Sequence, residues 1–166
     1  MLLAIADRRI EDAVAAAGET ARLDAGMRKL TQTAHTVGVA LDMLQPTGDV
    51  SDLLPLIDLA DAAPAGERAR QLDADVSRIR GVAASLTGDH DQAADHFGRA
   101  LSAARNLGEL LWIARVLADY ATALVRAGRL DEAQPLAVEA RMLFEGMGAV
   151  RAMERLDVAI PARVTA

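Results

Sequence analysis

The sequence predicts an all-α solenoid of antiparallel helix pairs, about eight helices in all. Three observations point there. Alanine supplies 36 of the 166 residues while aromatics make up 2%; alanine is the strongest helix former, and small side chains suit a core of closely approaching helices. Apolar positions recur at helical spacing along most of the chain. Within Gly81–Ala140 a pattern repeats: Gly88 leads to Ala93, Phe97 and Ala100, and further on Gly128 leads to Ala133, Ala137 and Ala140. A repeat of roughly 40 residues marks a stacked helical array.

The elements follow in order. Over 2–23, Leu3, Ile5, Ile10, Val14 and Ala17 fall on one helical face, with Gly18 leaving one helix or two open. Leu30, Ala34, Val37, Leu41 and Leu44 form the stripe of a helix over 27–45, stopped by Gln45-Pro46-Thr47-Gly48. A helix over 52–63 takes Asp49 or Ser51 as cap and tolerates Pro55 in its first turn. After the Pro64–Gly66 connector come helices over 67–87, over 90–106 with Asp89 or Asp91 as cap, and over 109–127. Gly108 has the place of a left-handed residue after a last turn. Asp131 is expected to cap a helix running through Phe144, with Pro135 in an early turn. A short helix over 149–159 closes the array before Pro161.

Charge and composition narrow the function. The net charge is −6, with 17 arginines and one lysine, Lys29, interleaved among 24 acidic residues. Phosphate backbones call for clustered basic side chains, so no direct nucleic-acid contact and no anionic membrane surface is expected. The arginine bias suits a GC-rich coding sequence and points to a bacterial source. Cysteine is absent, which removes thiolate chemistry. The start, MLLAIADRRIEDA, has no signal-peptide pattern and no run approaches the ~20 apolar residues of a membrane span, so a cytoplasmic location is expected.

Residues Gly81, Gly88, Ala93, Phe97 and Ala100 have the spacing of a tetratricopeptide repeat (TPR), and the chain resembles that family. The stretch departs from the family pattern where Ala84 replaces a tyrosine and Arg105 a closing proline. Ala121, Gly128, Ala133, Ala137 and Ala140 make a looser copy, and Leu41–Ala60 keeps only Gly48 and Ala60. The resemblance implies a single TPR-like domain over 1–166, with best repeats at 75–107 and 115–146, a degenerate one at about 35–63, and 149–159 as a C-terminal capping helix. The C-terminal stretch Arg99–Asp157 also resembles the C-terminal helical region of large bacterial signalling ATPases, including regulators with a LuxR-type DNA-binding end and proteins with a nucleotide-cyclase front end. The matching residues are Ala104, Arg105, Leu107, Gly108; Ala123, Leu124, Arg126–Arg129, Glu132, Ala133; Ala140, Leu143, Phe144, Gly148, Ala149; and Glu154, Arg155, Leu156. Neither a phosphate-binding G-x-x-x-x-G-K-[ST] loop nor a basic recognition helix is present.

The resemblance places the concave groove on the first helix of each pair. By position it selects Asp75, Arg78, Val82 and Ser85, then Arg115, Ala118, Thr122 and Arg126, and, in the degenerate unit, His35 and Asp42. Arg78, Arg115 and Arg126 form a basic stripe for an acidic segment or carboxylate, unless they are solvated or paired with Asp75 and Asp119. His90 and His96, with Asp89, Asp91 and Asp95, are the one cluster suggesting a metal, but at a separation of six the histidines face different ways, where a helical pair needs four; an acidic helix start explains them. Trp112 is expected in packed core or at a helix junction, or else as a partner anchor. No catalytic residue, metal or cofactor is expected. The expected function is a non-catalytic interaction module of a bacterial signalling or transcription regulator, binding a protein, a peptide or another domain of that regulator, with self-association open; the alternative is a sensor of a small effector that regulates an ATPase.

Overall fold

The computed structural model describes residues 70–160, together with Glu19, Leu41, Asp42, Leu54, Ile57 and Asp58, each of these six in helical conformation. The described residues form five helices and no strand: α1 Arg70–Thr87, α2 His90–Leu107, α3 Leu110–Arg126, α4 Leu130–Gly146 and α5 Val150–Ala159. The expected count of about eight is therefore not reached among them. The expected helices over 2–23, 27–45 and 52–63, with His35, otherwise lie outside the described residues.

The first four helices end by the same device. Gly88, Gly108, Gly128 and Gly148 all have positive φ, at 83°, 70°, 74° and 65°, which a residue without Cβ adopts freely. After three of them the next N–H reaches back into the helix just ended: Asp89 to the carbonyl of Ala84, Arg129 to Leu124, Ala149 to Phe144, at 2.8–2.9 Å. Such a bond satisfies a carbonyl that the helix end leaves open. The four glycines are evenly spaced in the sequence. The underlying period is thus one helix and one turn, and the repeat from Gly88 to Gly128 is two of these.

Asp89 caps α2, accepting the Gln92 N–H at 3.1 Å. Asp131 does not cap α4. The helix begins earlier, with Arg129 at the cap position and Asp131 and Glu132 in the first turn. Arg129 holds Glu132 through two bonds, Nε to Oε1 at 2.7 Å and Nη2 to Oε2 at 2.6 Å. Pro135 lies inside α4 on its exposed side.

The helices pair α1 with α2 and α3 with α4; α3 packs on α1, and α5 packs on α3 and α4. Arg141 of α4 also pairs with Asp157 of α5. Two apolar clusters result, and α3 feeds both. Val116 and Ala123 join Leu41, Ile79, Val82 and Phe97 in one; Ala114, Leu117, Ala121 and Leu124 join Ala133, Ala137, Phe144 and Leu156 in the other. Phe97 is fully buried and stacks on Tyr120 at 5.2 Å between ring centroids, a contact worth about 0.5–1.5 kcal/mol beyond its area.

Gly81 makes room for Phe97. A Cβ there would stand 3.0 Å from the ring, closer than carbon atoms pack comfortably. Gly98, also helical, is exposed and faces open space. Gly81→Ala is therefore expected to lower stability by about 1 kcal/mol despite alanine's better helix propensity, and Gly98→Ala to raise it by up to about 1 kcal/mol. Urea unfolding of both variants checks the pair; equal shifts of one sign would refute the packing account.

Candidate functional site

On α3, Arg115, Ala118, Asp119, Thr122 and Arg126 follow one another at the spacing of a helix turn. At ~3.6 residues per turn they return to one side of the helix. Arg151, Glu154, Arg155 and Val158 do the same on α5. With Arg78 of α1 and Asp42 these faces enclose a cavity of about 620 Å³, whose apolar lining includes Phe144, Ala152 and Leu156. Among the described residues five arginines and three carboxylates line it, an excess of two positive charges in a chain of net charge −6.

A buried ionic network underlies this face. Arg78, 1% exposed, donates from Nε to Asp119 Oδ2 at 2.6 Å and from Nη2 to Asp42 Oδ1 at 2.5 Å. Asp42 also receives Arg115 Nη2 on Oδ2 at 3.0 Å, and Arg155 approaches the same oxygen at 4.0 Å and the Asp42 carbonyl at 3.5 Å. One carboxylate thus reaches α1, α3 and α5. Burial would raise its pKa, but Arg78, Arg115 and Arg155 outweigh burial and hold it below the usual range. Burial likewise works against the charge of Arg78, and Asp119, Asp42 and Asp75 more than compensate, so its pKa is raised.

Asp75 is the exception. It is fully buried and accepts Trp112 Nε1–H on both carboxylate oxygens at 3.1 Å. Burial pushes its pKa up to about 6, with Asp42 adding to the rise and Arg78, the indole N–H and Arg115 opposing it. Burial is less compensated here than at Asp42: among the described residues Asp42, Asp75 and Asp119 face two enclosed arginines, Arg78 and Arg115. The third carboxylate gets a neutral donor instead. Among the described residues two buried polar atoms have no hydrogen-bond partner, Arg78 Nη1 and Ser85 Oγ.

Residues 72–145 match the family model of the tetratricopeptide repeat. They form a TPR-like region. No match is found among curated proteins or among solved structures. Repeats of this kind generally mediate protein–protein interaction, and no described helix is long and apolar enough to cross a membrane.

The groove residues expected from the repeat register divide into two groups. Arg78, Arg115, Ala118, Thr122 and Arg126 line the cavity of the TPR-like region, as does Asp42. Asp75, Val82 and Ser85 are buried and do not line it: Asp75 meets Trp112, and Val82 lies in the first apolar cluster. The pairing of Arg78 is with Asp119 and Asp42, so this arginine is enclosed structure and not a free stripe. Arg126 is exposed. Trp112 is half-buried at the junction of α1 and α3. His96 lies 3.2 Å from Arg99 Nη2, and burial, Arg99 and Arg80 lower its pKa; among the described residues no group of three or more metal-ligating side chains converges.

Arg151, Glu154 and Arg155 were not expected at the groove. The signal was present. Arg155 follows Arg115 by the same step that separates Gly88 from Gly128, so extending the register past Ala140 reaches it. Treating 149–159 only as a cap hid that.

Two outcomes follow. Arg78→Met removes the guanidinium that bonds the enclosed Asp42 and Asp119 and should cost about 3–5 kcal/mol, measured by urea unfolding at pH 7; a loss under about 1 kcal/mol would refute the network's role. For Asp75 the folded pKa lies above the ordinary value of 3.8. Between about pH 4 and 6 the unfolded chain releases this proton first, so the Asp75 contribution to stability falls as pH rises through that window. Asp75→Asn should therefore exceed the parent by on the order of 2 kcal/mol above pH 6 and lose that advantage below pH 4; unfolding curves that stay parallel from pH 4 to 8 would count against it.

Proposed function

We propose that this chain is a non-catalytic protein-interaction module, the TPR-like part of a bacterial signalling or transcription regulator, and that its groove takes an acidic segment of a partner protein or of another domain. The observation that carries the reading is the arginine content of the groove. Arg126 and Arg151 are exposed on its walls, and among the described residues neither pairs with a carboxylate. Guanidinium groups bind carboxylates through paired N–H bonds, and a local positive field on an acidic protein steers acidic partners to one place. The resemblance of Arg99–Asp157 to signalling ATPases supports the regulator context.

The test must avoid Arg78 and Arg115, whose loss disturbs the fold. Arg126→Glu with Arg151→Glu changes only exposed positions. A displayed random-peptide library selected on the parent should enrich Asp and Glu, and the double variant should lose that enrichment with its far-UV circular dichroism unchanged. Selected peptides without acidic residues would end the reading.

A second reading is a small anionic effector in the same cavity, regulating an attached or partner ATPase. Its support is the volume of about 620 Å³, which falls in the usual range for small-molecule pockets. Thermal-shift screening of carboxylates and organic phosphates separates the two readings: a rise of several degrees with a small anion favours the effector.

A further inference from the structure

The arginines of the groove have a spacing, and the spacing selects among acidic segments. Asp42 Oδ2 lies 3.0 Å from Arg115 Nη2 and 4.0 Å from Arg155 Nη2, which sets these two arginines, one on α3 and one on α5, at the same level of the groove. Arg126 lies about three turns beyond Arg115 on the same side of α3, about 16 Å along the axis at ~1.5 Å per residue. Arg115 is largely enclosed and committed to Asp42, whereas the Arg155 side chain is 51% exposed. A smaller depression of about 400 Å³ beside the main cavity is lined, among the described residues, by Arg115, Arg151 and Arg155 and by no carboxylate. The first turn of α5, which borders it, has no acidic side chain, and its cap residue Ala149 offers no side-chain acceptor. One end of the groove therefore presents Arg151 and Arg155, with Glu154 between them on α5, and the other end presents Arg126; Ala118, Thr122 and Val158 also line the cavity, as does Asp119, which is bonded to Arg78.

We infer that the occupant is an extended partner segment with two acidic side chains about five positions apart, one held by Arg151 and Arg155 and the other by Arg126, with small apolar side chains between them. This rests on the proposed interaction through the groove and adds the recognition rule. An extended chain covers about 16 Å in about five residues at ~3.3 Å each. A helical segment would need about 11 residues to span the same distance.

Fluorescence anisotropy on the full chain tests it with three labelled peptides. One is Glu-Ala-Val-Ala-Ala-Glu; the second has the same composition with the two glutamates adjacent; the third is a longer helix-forming peptide with its two glutamates about three turns apart. The spaced hexapeptide should bind at least tenfold tighter than either of the others. Arg126→Gln should remove that preference while keeping weak binding, and Arg151→Gln with Arg155→Gln should abolish binding. Equal affinity for the two hexapeptides, still dependent on the arginines, would overturn the spacing rule and leave the acidic-groove reading intact. If no acidic peptide binds the folded parent, both fall. Two further results also overturn the inference: displacement of the peptide by succinate at comparable affinity, which makes the occupant a small anion, and self-association in sedimentation that Arg126→Gln dissolves, which makes it a second copy.

Discussion

Arg78 joins three separated parts of the chain. Its guanidinium bonds Asp42 and Asp119 from within α1, and none of the three side chains is well exposed to water. Desolvating these charges is costly, and the attraction between them offsets that only while the geometry is complete. The pairing therefore adds less to net stability than its short distances suggest. Its effect is specificity. A stack of alanine-rich helices can slide with little loss of apolar contact, but a displaced register would strand a buried charge. The network thus fixes which turn of α3 faces which turn of α1, and through Arg115 and Arg155 it extends the same condition to α5.

The charge count within the network explains the rest of its chemistry. Two enclosed arginines satisfy two carboxylates. Asp75, the third, is held by the Trp112 indole, a donor that carries no charge and so leaves the burial penalty largely in place. That is why Asp42 and Asp75, both buried near Arg78, shift in opposite directions. The lone tryptophan is thus neither simple core nor a free anchor: its ring packs at the α1–α3 junction and its N–H answers a specific buried acceptor.

Much of the architecture was legible because local signals agreed. Glycines at the turns, Asp89 at a helix start and alanines at helical spacing all place the same boundaries, and α2, α3 and α5 begin and end within one position of expectation. Where one signal competed with another, reading failed. Asp131 looked like a cap because acidic residues favour helix starts, yet the Arg129–Glu132 pair and the turn at Gly128 begin the helix earlier. The groove was half legible. Register identified Asp42, Arg115, Thr122 and Arg126, but it could not tell that Asp75 and Ser85 turn inward, because burial depends on how neighbouring helices pack and not on position within one repeat. Arg151 and Arg155 were missed because Val150–Ala159 was read by its apolar face alone.

The small residues of the core and the charges of the groove belong to one constraint. Gly81 lets the Phe97 ring sit against α1, and Ala114, Ala121, Ala133, Ala137 and Ala140 are all buried where helices meet. Interaxial distance falls with side-chain size, so such helices stack closely. Close stacking brings successive groove faces within reach of a single short side chain: Asp42 contacts Arg155 across 113 positions of sequence. Larger core residues would spread α1, α3 and α5 apart, and an aspartate could no longer meet an arginine on each. The alanine content that first marks the chain as helical is therefore also what assembles an arginine-lined groove from residues far apart in sequence.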